Sequence, residues 1–336
     1  MTALSSLTRA GSVHAAADSL ARARSLVEPE LEAAVTRLSE ELRPAVRHHL
    51  SGGGKYVRAG LVLLSAAAAG ADERSAVIGA VAIELVHNFS LVHDDIIDGD
   101  LERRHHPTLW AEYGVGHAII AGDALATLAI QILLEEPTPE RVRAAGRLVE
   151  ATQAMIAGQA EDMAFELRPS LSVEDCLHME AGKTGALLSC AAALGAILAG
   201  APAATIDALS DFGRHLGTAF QAVDDVLGIW GEPRVTGKPV GNDLRQHKKT
   251  LPIAIVLDGG AALPEGLRSL LSSDLSDADV VEAARLLEQC GARQETMAIG
   301  EAHLLAALAA LDRVPLALRP RTELAAIARF VTARDR

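Results

Sequence analysis

Apolar side chains recur every three or four residues along most of this chain, which is the pattern of helices that bury one face. In the stretch 81–92, the positions that keep this spacing are Val81, Leu85, Val86, Phe89 and Val92. Runs of the same kind predict further helices over 117–134, 144–165, 186–199, 206–220 and 292–311. Prolines fall in or beside the breaks between these runs. We therefore predict an all-α protein.

Three aspartates follow directly on the predicted helix 81–92. Asp94 and Asp98 are one turn apart and share a face, whereas Asp95 lies about 100° round the helix. Two carboxylates on one face repel each other, so a cation is expected between them. A small set of carboxylate oxygens suits Mg²⁺, which keeps waters and completes its shell with substrate phosphate. Arg103 and Arg104 follow closely and could hold the same phosphate by bidentate bonds.

A second acidic pair, Asp224 and Asp225, follows the predicted helix 206–220. Gln221 precedes this pair, and the cations Lys238 and Lys248 come after it. Taken alone, either acidic motif is compatible with a solvated helix end. Two such half-sites that face each other could instead clamp one diphosphate through several Mg²⁺ ions. The repetition therefore favours a diphosphate site.

Five motifs in a fixed order resemble those of the trans-prenyl diphosphate synthases of the isoprenoid synthase family. They are Gly53-Gly54-Lys55-Tyr56-Val57-Arg58, His87, the aspartate-rich motif with Arg103 and Arg104, Lys183-Thr184, and Gln221 with Asp224-Asp225, Lys238 and Lys248. The resemblance implies an isoprenoid synthase-type bundle of ten or more helices around a central cavity. It also implies a prenyltransferase in which an allylic diphosphate ionises and isopentenyl diphosphate attacks the carbocation.

The resemblance assigns roles to individual residues. The implied metal ligands, for about three Mg²⁺ ions, are Asp94, Asp98 and Asp224, with Asp95 and Asp225 just outside the direct ligands. Isopentenyl diphosphate is expected to contact Lys55, Arg58, His87 and Arg104. The allylic diphosphate (dimethylallyl, geranyl or farnesyl) is expected to contact Arg103, Lys183 and Lys238. Lys248 is a further substrate-binding candidate, and the side-chain oxygens of Thr184 and Gln221 can face the developing cation.

The length of the product is expected to depend on Phe89 and Ser90. Phe89 precedes Asp94 by five residues, about 7.5 Å along the helix axis, and Ser90 is small. By resemblance, this combination predicts geranylgeranyl diphosphate (C20), with Phe89 as the floor of the product tunnel. Ordinary core packing of Phe89 is the alternative, and a farnesyl or longer-chain synthase stays open.

One departure from the family pattern concerns Gly228, which stands where many relatives have a third aspartate. It puts the affinity for a third Mg²⁺ in doubt and keeps a class I terpene cyclase of the same fold open. Lys55 and Arg58 argue against a cyclase, because a cyclase has no second diphosphate to bind. Two further classes are a metal phosphohydrolase of the HD type, using His87, His93 and Asp94, and a noncatalytic subunit that modulates an active partner.

Composition narrows the partners and the compartment. The 336 residues are 49% hydrophobic with a formal net charge of −13, which argues against nucleic acid. Cys176, Cys190 and Cys290 have no metal spacing and are expected to be reduced in a cytoplasmic protein. The apolar run 186–201 is short for a membrane span, so we predict no transmembrane segment. We predict a loosely packed segment over 1–30, a single isoprenoid synthase domain over 31–336, and a homodimer.

Overall fold

A computed structural model describes residues 2–166, 168, 170–232, 240–258, 263–264, 266–271 and 273–333, with side chains from residue 13 onward except that of Glu166. Its α-helices are α1 (Thr2–Val35), α2 (Arg43–Ser51), α3 (Val57–Ala68), α4 (Val77–Ile97), α5 (Leu109–Tyr113), α6 (Val115–Leu134), α7 (Pro139–Glu166), α8 (Val173–Glu180), α9 (Ala186–Leu198), α10 (Ala203–Trp230), α11 (Asn242–Arg245), α12 (Leu251–Asp258), α13 (Leu267–Leu270), α14 (Asp277–Gln289), α15 (Ala292–Ala310) and α16 (Leu318–Thr332). A 3₁₀ turn covers Glu73–Ala76, and a π-helix covers Ala181–Gly185. The prediction of an all-α protein with ten or more helices is confirmed.

Two local elements differ from the sequence-based prediction. The second acidic pair lies inside α10, which continues to Trp230, rather than at the end of a helix. A two-stranded antiparallel hairpin, β1 (Glu102–Arg103) and β2 (His106–Pro107), follows the first acidic motif. Strands this short carry no alternating apolar pattern, so periodicity could not reveal them.

The chain divides into two compact units, each built from segments that are separated along the sequence. The first unit comprises Met1–Thr152, Leu187–Gly213 and Ala310–Ile327, and the second comprises Gln153–Ala186, Arg214–Ala309 and Ala328–Arg336. The boundary at residue 30 and the single domain stay predictions. Within the first unit, α1 continues unbroken to Val35, and its Leu20, Ala23 and Val27 are buried.

The first unit has a core of closely packed helices with many small side chains. The most extensive packing joins α4 to α6, and α4 also packs on α3. Gly195 of α9 lies against α3, where a Cβ would stand 1.9 Å from the carbonyl oxygen of Val62. A larger residue at 195 would force these helices apart.

The second unit has two apolar clusters. One cluster surrounds Ile229, Leu244 and Leu287, and the other surrounds Phe165, Cys176 and Leu251. Capping boxes fix the starts of two helices that frame these clusters. Ser172 caps α8 and Ser276 caps α14, each bonding the backbone N–H of the aspartate three residues on.

Three helical stretches are long and apolar enough to cross a membrane by length and composition, and they are Glu73–Ile97, Val115–Leu134 and Val173–Leu198. Part of each is buried inside the protein. The expectation that the chain has no transmembrane segment therefore stays a prediction.

Candidate functional site

The last turn of α4 carries the first acidic motif of the first unit. The backbone N–H of Asp98 donates to the carbonyl oxygen of Asp94 at 2.8 Å, so the helical turn that puts both side chains on one face is intact. Both residues are partly exposed. Two accessible carboxylates one turn apart suit a hard cation that keeps waters and takes phosphate oxygens. This donor set therefore fits Mg²⁺.

Asp95 has a different role from its two neighbours in the motif. Its side chain is 1% exposed, and its Oδ1 accepts bonds from Nε and Nη2 of Arg103, each at 2.7 Å. A buried carboxylate fixes a guanidinium strongly, because an unpaired charge in that position would be costly. Asp95 therefore holds Arg103 beside the acidic motif.

The hairpin after α4 turns through Arg104 and His105. These two residues have φ values of 54° and 65°, the left-handed conformation that two-residue hairpin turns of type I′ require. Such turns prefer glycine or asparagine, so arginine and histidine here store strain, which is common at binding sites. Nη1 of Arg104 lies 3.5 Å from the position that a Cβ on Gly54 would take. The hairpin therefore brings Arg104 to the glycine–lysine loop.

The glycine–lysine loop leads into α3 and meets α4. Nη1 of Arg58 donates to Nε2 of His87 at 3.2 Å, and the backbone N–H of Ala59 donates to Oε1 of the buried Glu84 at 3.0 Å. Burial and the charge of Arg58 hold the pKa of His87 well below its usual range. Because a guanidinium only donates, the neutral imidazole accepts at Nε2 and carries its proton on Nδ1. The structure thus brings Arg58, His87 and Arg104 together, and Lys55 is exposed on the adjoining loop.

His49 lies close to the same group of cations, near Arg103 and Arg104, but it was not among the residues predicted from the sequence. Burial lowers its pKa to about 4, and the charges of Arg103 and Arg104 add to the effect. Its Nε2 is buried and has no hydrogen-bond partner. His49 lies in α2 with no recognisable motif around it, so no sequence signal pointed to it.

In the second unit, a line of hydrogen bonds connects three of the predicted residues. Oγ1 of Thr184 donates to Oε1 of Gln221 at 2.9 Å, and Nε2 of Gln221 donates to Oδ1 of Asp225 at 2.8 Å. The backbone N–H of Leu251 donates to Oδ2 of Asp225 at 2.8 Å. Asp225 is 2% exposed, and burial raises its pKa to about 6. Asp225 therefore anchors this line, while Asp224 is partly exposed.

Lys183 and Thr184 lie in the π-helix between α8 and α9. Nζ of Lys183 donates to Oδ2 of Asp162 at 2.5 Å, and Asp162 was not among the predicted residues. A Cβ on Gly158 would stand 2.3 Å from the backbone N of Lys183, so the π-turn lies directly against α7. π-Helices often mark functional positions. The sequence signal that could have pointed to Asp162 was its spacing of four residues from Gly158, which puts both residues on one face of α7.

The space at Gly228 is occupied by a carboxylate from another element. A Cβ at this position would stand 1.8 Å from Oδ2 and 2.5 Å from Cγ of Asp243. The charge of Asp243 also contributes to the raised pKa of Asp225, after burial. The departure from the family pattern at Gly228 therefore has a steric reason: a third aspartate at 228 and this position of Asp243 exclude each other.

Two predictions about site residues have no structural test. Lys238 lies outside the described residues, and the contacts proposed for Lys248 stay predictions. Across the part of the chain that the structure describes, no group of three or more His, Cys, Asp or Glu residues is arranged to hold a metal ion. The joint ligation by Asp94, Asp98 and Asp224 therefore also stays a prediction.

Comparison with known proteins decides the family. The family model named Polyprenyl synthetase matches residues 39–287. The chain belongs to the polyprenyl synthetase family. It is 42% identical over 332 residues to the (2E,6E)-farnesyl diphosphate synthase of Mycobacterium tuberculosis, which covers 94% of this chain and 92% of the relative. It is also 42% identical over 331 residues to the geranylgeranyl diphosphate synthase of the same organism, covering 94% and 93%.

Solved structures agree with this family assignment. The crystal structure of a polyprenyl synthetase from Streptomyces coelicolor A3(2) matches with a TM-score of 0.89 and 44% identity, covering 95% of this chain and 99% of that one. The isoprenoid synthase fold expected from the sequence is therefore confirmed. This polyprenyl synthetase is a prenyltransferase of isoprenoid biosynthesis. Its relatives include both farnesyl and geranylgeranyl synthases at equal identity, so they leave the length of the product open.

Proposed function

We propose that this polyprenyl synthetase condenses isopentenyl diphosphate with an allylic diphosphate and releases geranylgeranyl diphosphate as its main product. The observation that carries the proposal is the convergence of Arg58, His87 and Arg104 next to the glycine–lysine loop. A terpene cyclase binds one diphosphate and has no use for this second cationic group. The metal phosphohydrolase alternative does not explain it either.

Isopentenyl diphosphate is the proposed occupant of the cationic group in the first unit. Arg58 and Arg104 supply fixed donors, and Lys55 supplies a further charge on the exposed loop. The ion pair with Asp95 orients Arg103 toward the allylic substrate's diphosphate in this proposal. Cations that are fixed before the reaction stabilise the charge of the leaving diphosphate without reorganising.

The allylic diphosphate is the proposed ligand of the acidic motifs through about three Mg²⁺ ions. The proposed ligands are Asp94, Asp98 and Asp224. Bound Mg²⁺ would neutralise the charge that accumulates on the leaving diphosphate as the C–O bond breaks. Lys183, Lys238 and Lys248 are proposed to contact phosphate oxygens, and Thr184 and Gln221 are proposed to place oxygens near the allylic cation.

Phe89 is the proposed determinant of product length. Its ring lies on α4, one helical turn and a residue before Asp94, and is 8% exposed. Ser90 follows it and leaves room for an isoprenoid chain. A bulky aromatic ring at that depth would stop chain growth, which supports the C20 product over longer ones.

Product analysis tests this proposal. The enzyme is incubated with Mg²⁺, isopentenyl diphosphate and, in separate reactions, the dimethylallyl, geranyl or farnesyl primer, and the products are sized by chromatography. We expect C20 from each primer and longer products from Phe89→Ala. A main product of C15 would correct the proposal to a farnesyl synthase. No condensation with any primer would refute it and favour the noncatalytic subunit.

We also propose a homodimer formed along α7. The exposed apolar residues Val142, Val149, Ile156 and Met163 recur every seven residues on this helix and are 40–51% exposed. A stripe at this spacing supports packing against another helix. Light scattering is expected to give twice the chain mass, and Ile156→Asp is expected to shift the enzyme toward monomer. A monomeric wild type would refute the dimer.

The proposed location is the cytoplasm, without a membrane anchor. The cysteines support it, since those at 176 and 190 are buried and unbridged. Expression without detergent followed by ultracentrifugation tests it, and recovery of the enzyme only in the membrane pellet would contradict it.

A further inference from the structure

His93 links the acidic motif to the residue that limits product length in the proposal above. It lies on α4 one turn after Phe89, and the two rings meet edge to face with their centroids 5.0 Å apart and an interplanar angle of 76°. Nε2 of His93 lies 3.2 Å from the backbone carbonyl oxygen of Ile119 on α6. Because a carbonyl oxygen only accepts, Nε2 of His93 donates its N–H to that oxygen. The ring is therefore bonded to α6 while it packs on Phe89.

Gly122 of α6 provides the space in which the His93 ring lies. A Cβ at this position would stand 2.3 Å from Nε2, 2.5 Å from Cδ2 and 3.1 Å from Cε1 of His93. These distances are far below van der Waals contact, which is about 3.5 Å for carbon atoms. Any residue other than glycine at 122 would therefore displace the imidazole.

We infer that Gly122 and His93 are positioning residues for product length: the imidazole, seated on Gly122 and bonded to the Ile119 carbonyl, braces the Phe89 ring. The inference rests on the proposed role of Phe89 as the floor of the product tunnel. The Phe89 ring has no polar atom and is positioned by packing alone, whereas His93 is hydrogen-bonded to the Ile119 carbonyl oxygen and lies against Gly122. In this inference, the packing of α4 against α6 keeps the Phe89 ring in the position where it stops further elongation of the isoprenoid chain.

We expect two different substitutions to change the length of the product in the same direction. Gly122→Ala expels the imidazole, and His93→Ala removes it, so both leave Phe89 free to change its rotamer. We expect each to raise the ratio of C25 to C20 products by about tenfold or more, since even one extra methylene group in an apolar pocket is discriminated by about 10–200-fold. In the Phe89→Ala background, Gly122→Ala should add nothing further, because the braced ring is gone.

Gly116→Ala is the matched control. Gly116 lies on the same helix, and nothing stands within 4 Å of a Cβ built there. This variant should keep the wild-type product ratio. A change in total turnover without a change in the ratio would mean that Gly122 and His93 only support the fold, and it would overturn the inference.

Failure of the inference and failure of the proposed function have different signatures. If Phe89→Ala lengthens the products while Gly122→Ala and His93→Ala leave the ratio unchanged, the brace is refuted and the floor stands. If Phe89→Ala itself has no effect, the proposed floor is wrong. Circular dichroism verifies folding, and if Gly122→Ala does not fold, the product ratio of His93→Ala decides the inference.

Discussion

Gly228→Ala is expected to destabilise the second unit, contrary to the usual effect of replacing a glycine inside a helix. The new Cβ would stand 1.8 Å from Oδ2 of Asp243, so the carboxylate must move by more than an ångström to restore a contact of about 3.5 Å. Gly228 lies within α10, where alanine by itself would add stability. The sign of the result therefore reports the position of Asp243.

The magnitude follows from two opposing effects. Alanine in a helix interior is favoured over glycine by about 1 kcal/mol. Forcing extra atoms into an occupied space costs about 1–3 kcal/mol. The difference is a net loss of about 0–2 kcal/mol in the free energy of unfolding, or a fall in Tm of a few degrees.

Gly146→Ala provides the reference for this experiment. Gly146 lies on the exposed side of α7, and nothing stands within 4 Å of a Cβ built there. Because it falls between Val142 and Val149 on the face proposed for the dimer, both glycine substitutions are made in the Ile156→Asp background, which is expected to be monomeric. Gly146→Ala should gain about 1 kcal/mol, so the two variants should differ by about 1–3 kcal/mol. Thermal unfolding is measured by circular dichroism on both variants and their Ile156→Asp parent, with EDTA and then with Mg²⁺ and inorganic diphosphate.

Gly228→Asp extends the test to ligand binding. It introduces the aspartate that many relatives carry, but the side chain must compete with Asp243 for space and adds repulsion near Asp225. We expect a smaller rise in Tm on adding Mg²⁺ and diphosphate than in the wild type. If Gly228→Ala is as stabilising as Gly146→Ala, or if Gly228→Asp strengthens ligand binding, the position assigned to Asp243 is wrong.

Three further substitutions test other parts of the site. Asp94→Ala should lower kcat by orders of magnitude with the fold intact, because a proposed metal ligand is lost, and near-normal turnover would contradict its role. Thr184→Val should leave Oε1 of Gln221 without the bond seen at 2.9 Å and lower stability by about 1 kcal/mol, measured by urea unfolding; an unchanged midpoint would argue against that bond. The pKa of His49 is lowered to about 4 by burial and by Arg103 and Arg104, so the unfolded chain binds more protons between about pH 4 and 6.5 and stability should rise with pH there, by up to about 3 kcal/mol. In His49→Asn that part of the slope should disappear, and an identical pH profile would show that His49 is not buried as a neutral group.

The sequence predicted the helices well because each buries a continuous face. Residues 81–92 repeat apolar side chains at the helical period, and α4 covers this whole stretch. That period depends only on the geometry of one helix, so it can be recognised without knowing the neighbours. The acidic residues at 94 and 98 were recognisable for the same reason, since their common face follows from their spacing.

Groups whose role depends on contacts with other elements could not be recognised in the sequence. His49 joins the cationic region through the fold, and Asp162 becomes relevant because α7 passes the π-turn that carries Lys183. The role of Asp95 as the partner of Arg103 depends on a hairpin too short to have a pattern. None of these contacts has a period in the sequence.

The sequence by itself determined the helical class and the family, because these follow from local spacing and from motifs that keep their order. Only the tertiary structure decided why position 228 is glycine and which ring lies against Gly122. At both positions, a side chain from another element occupies the space that a Cβ would need: Asp243 at Gly228 and His93 at Gly122. Such space is a property of packing, and packing is set by pairs of elements that are far apart in the chain.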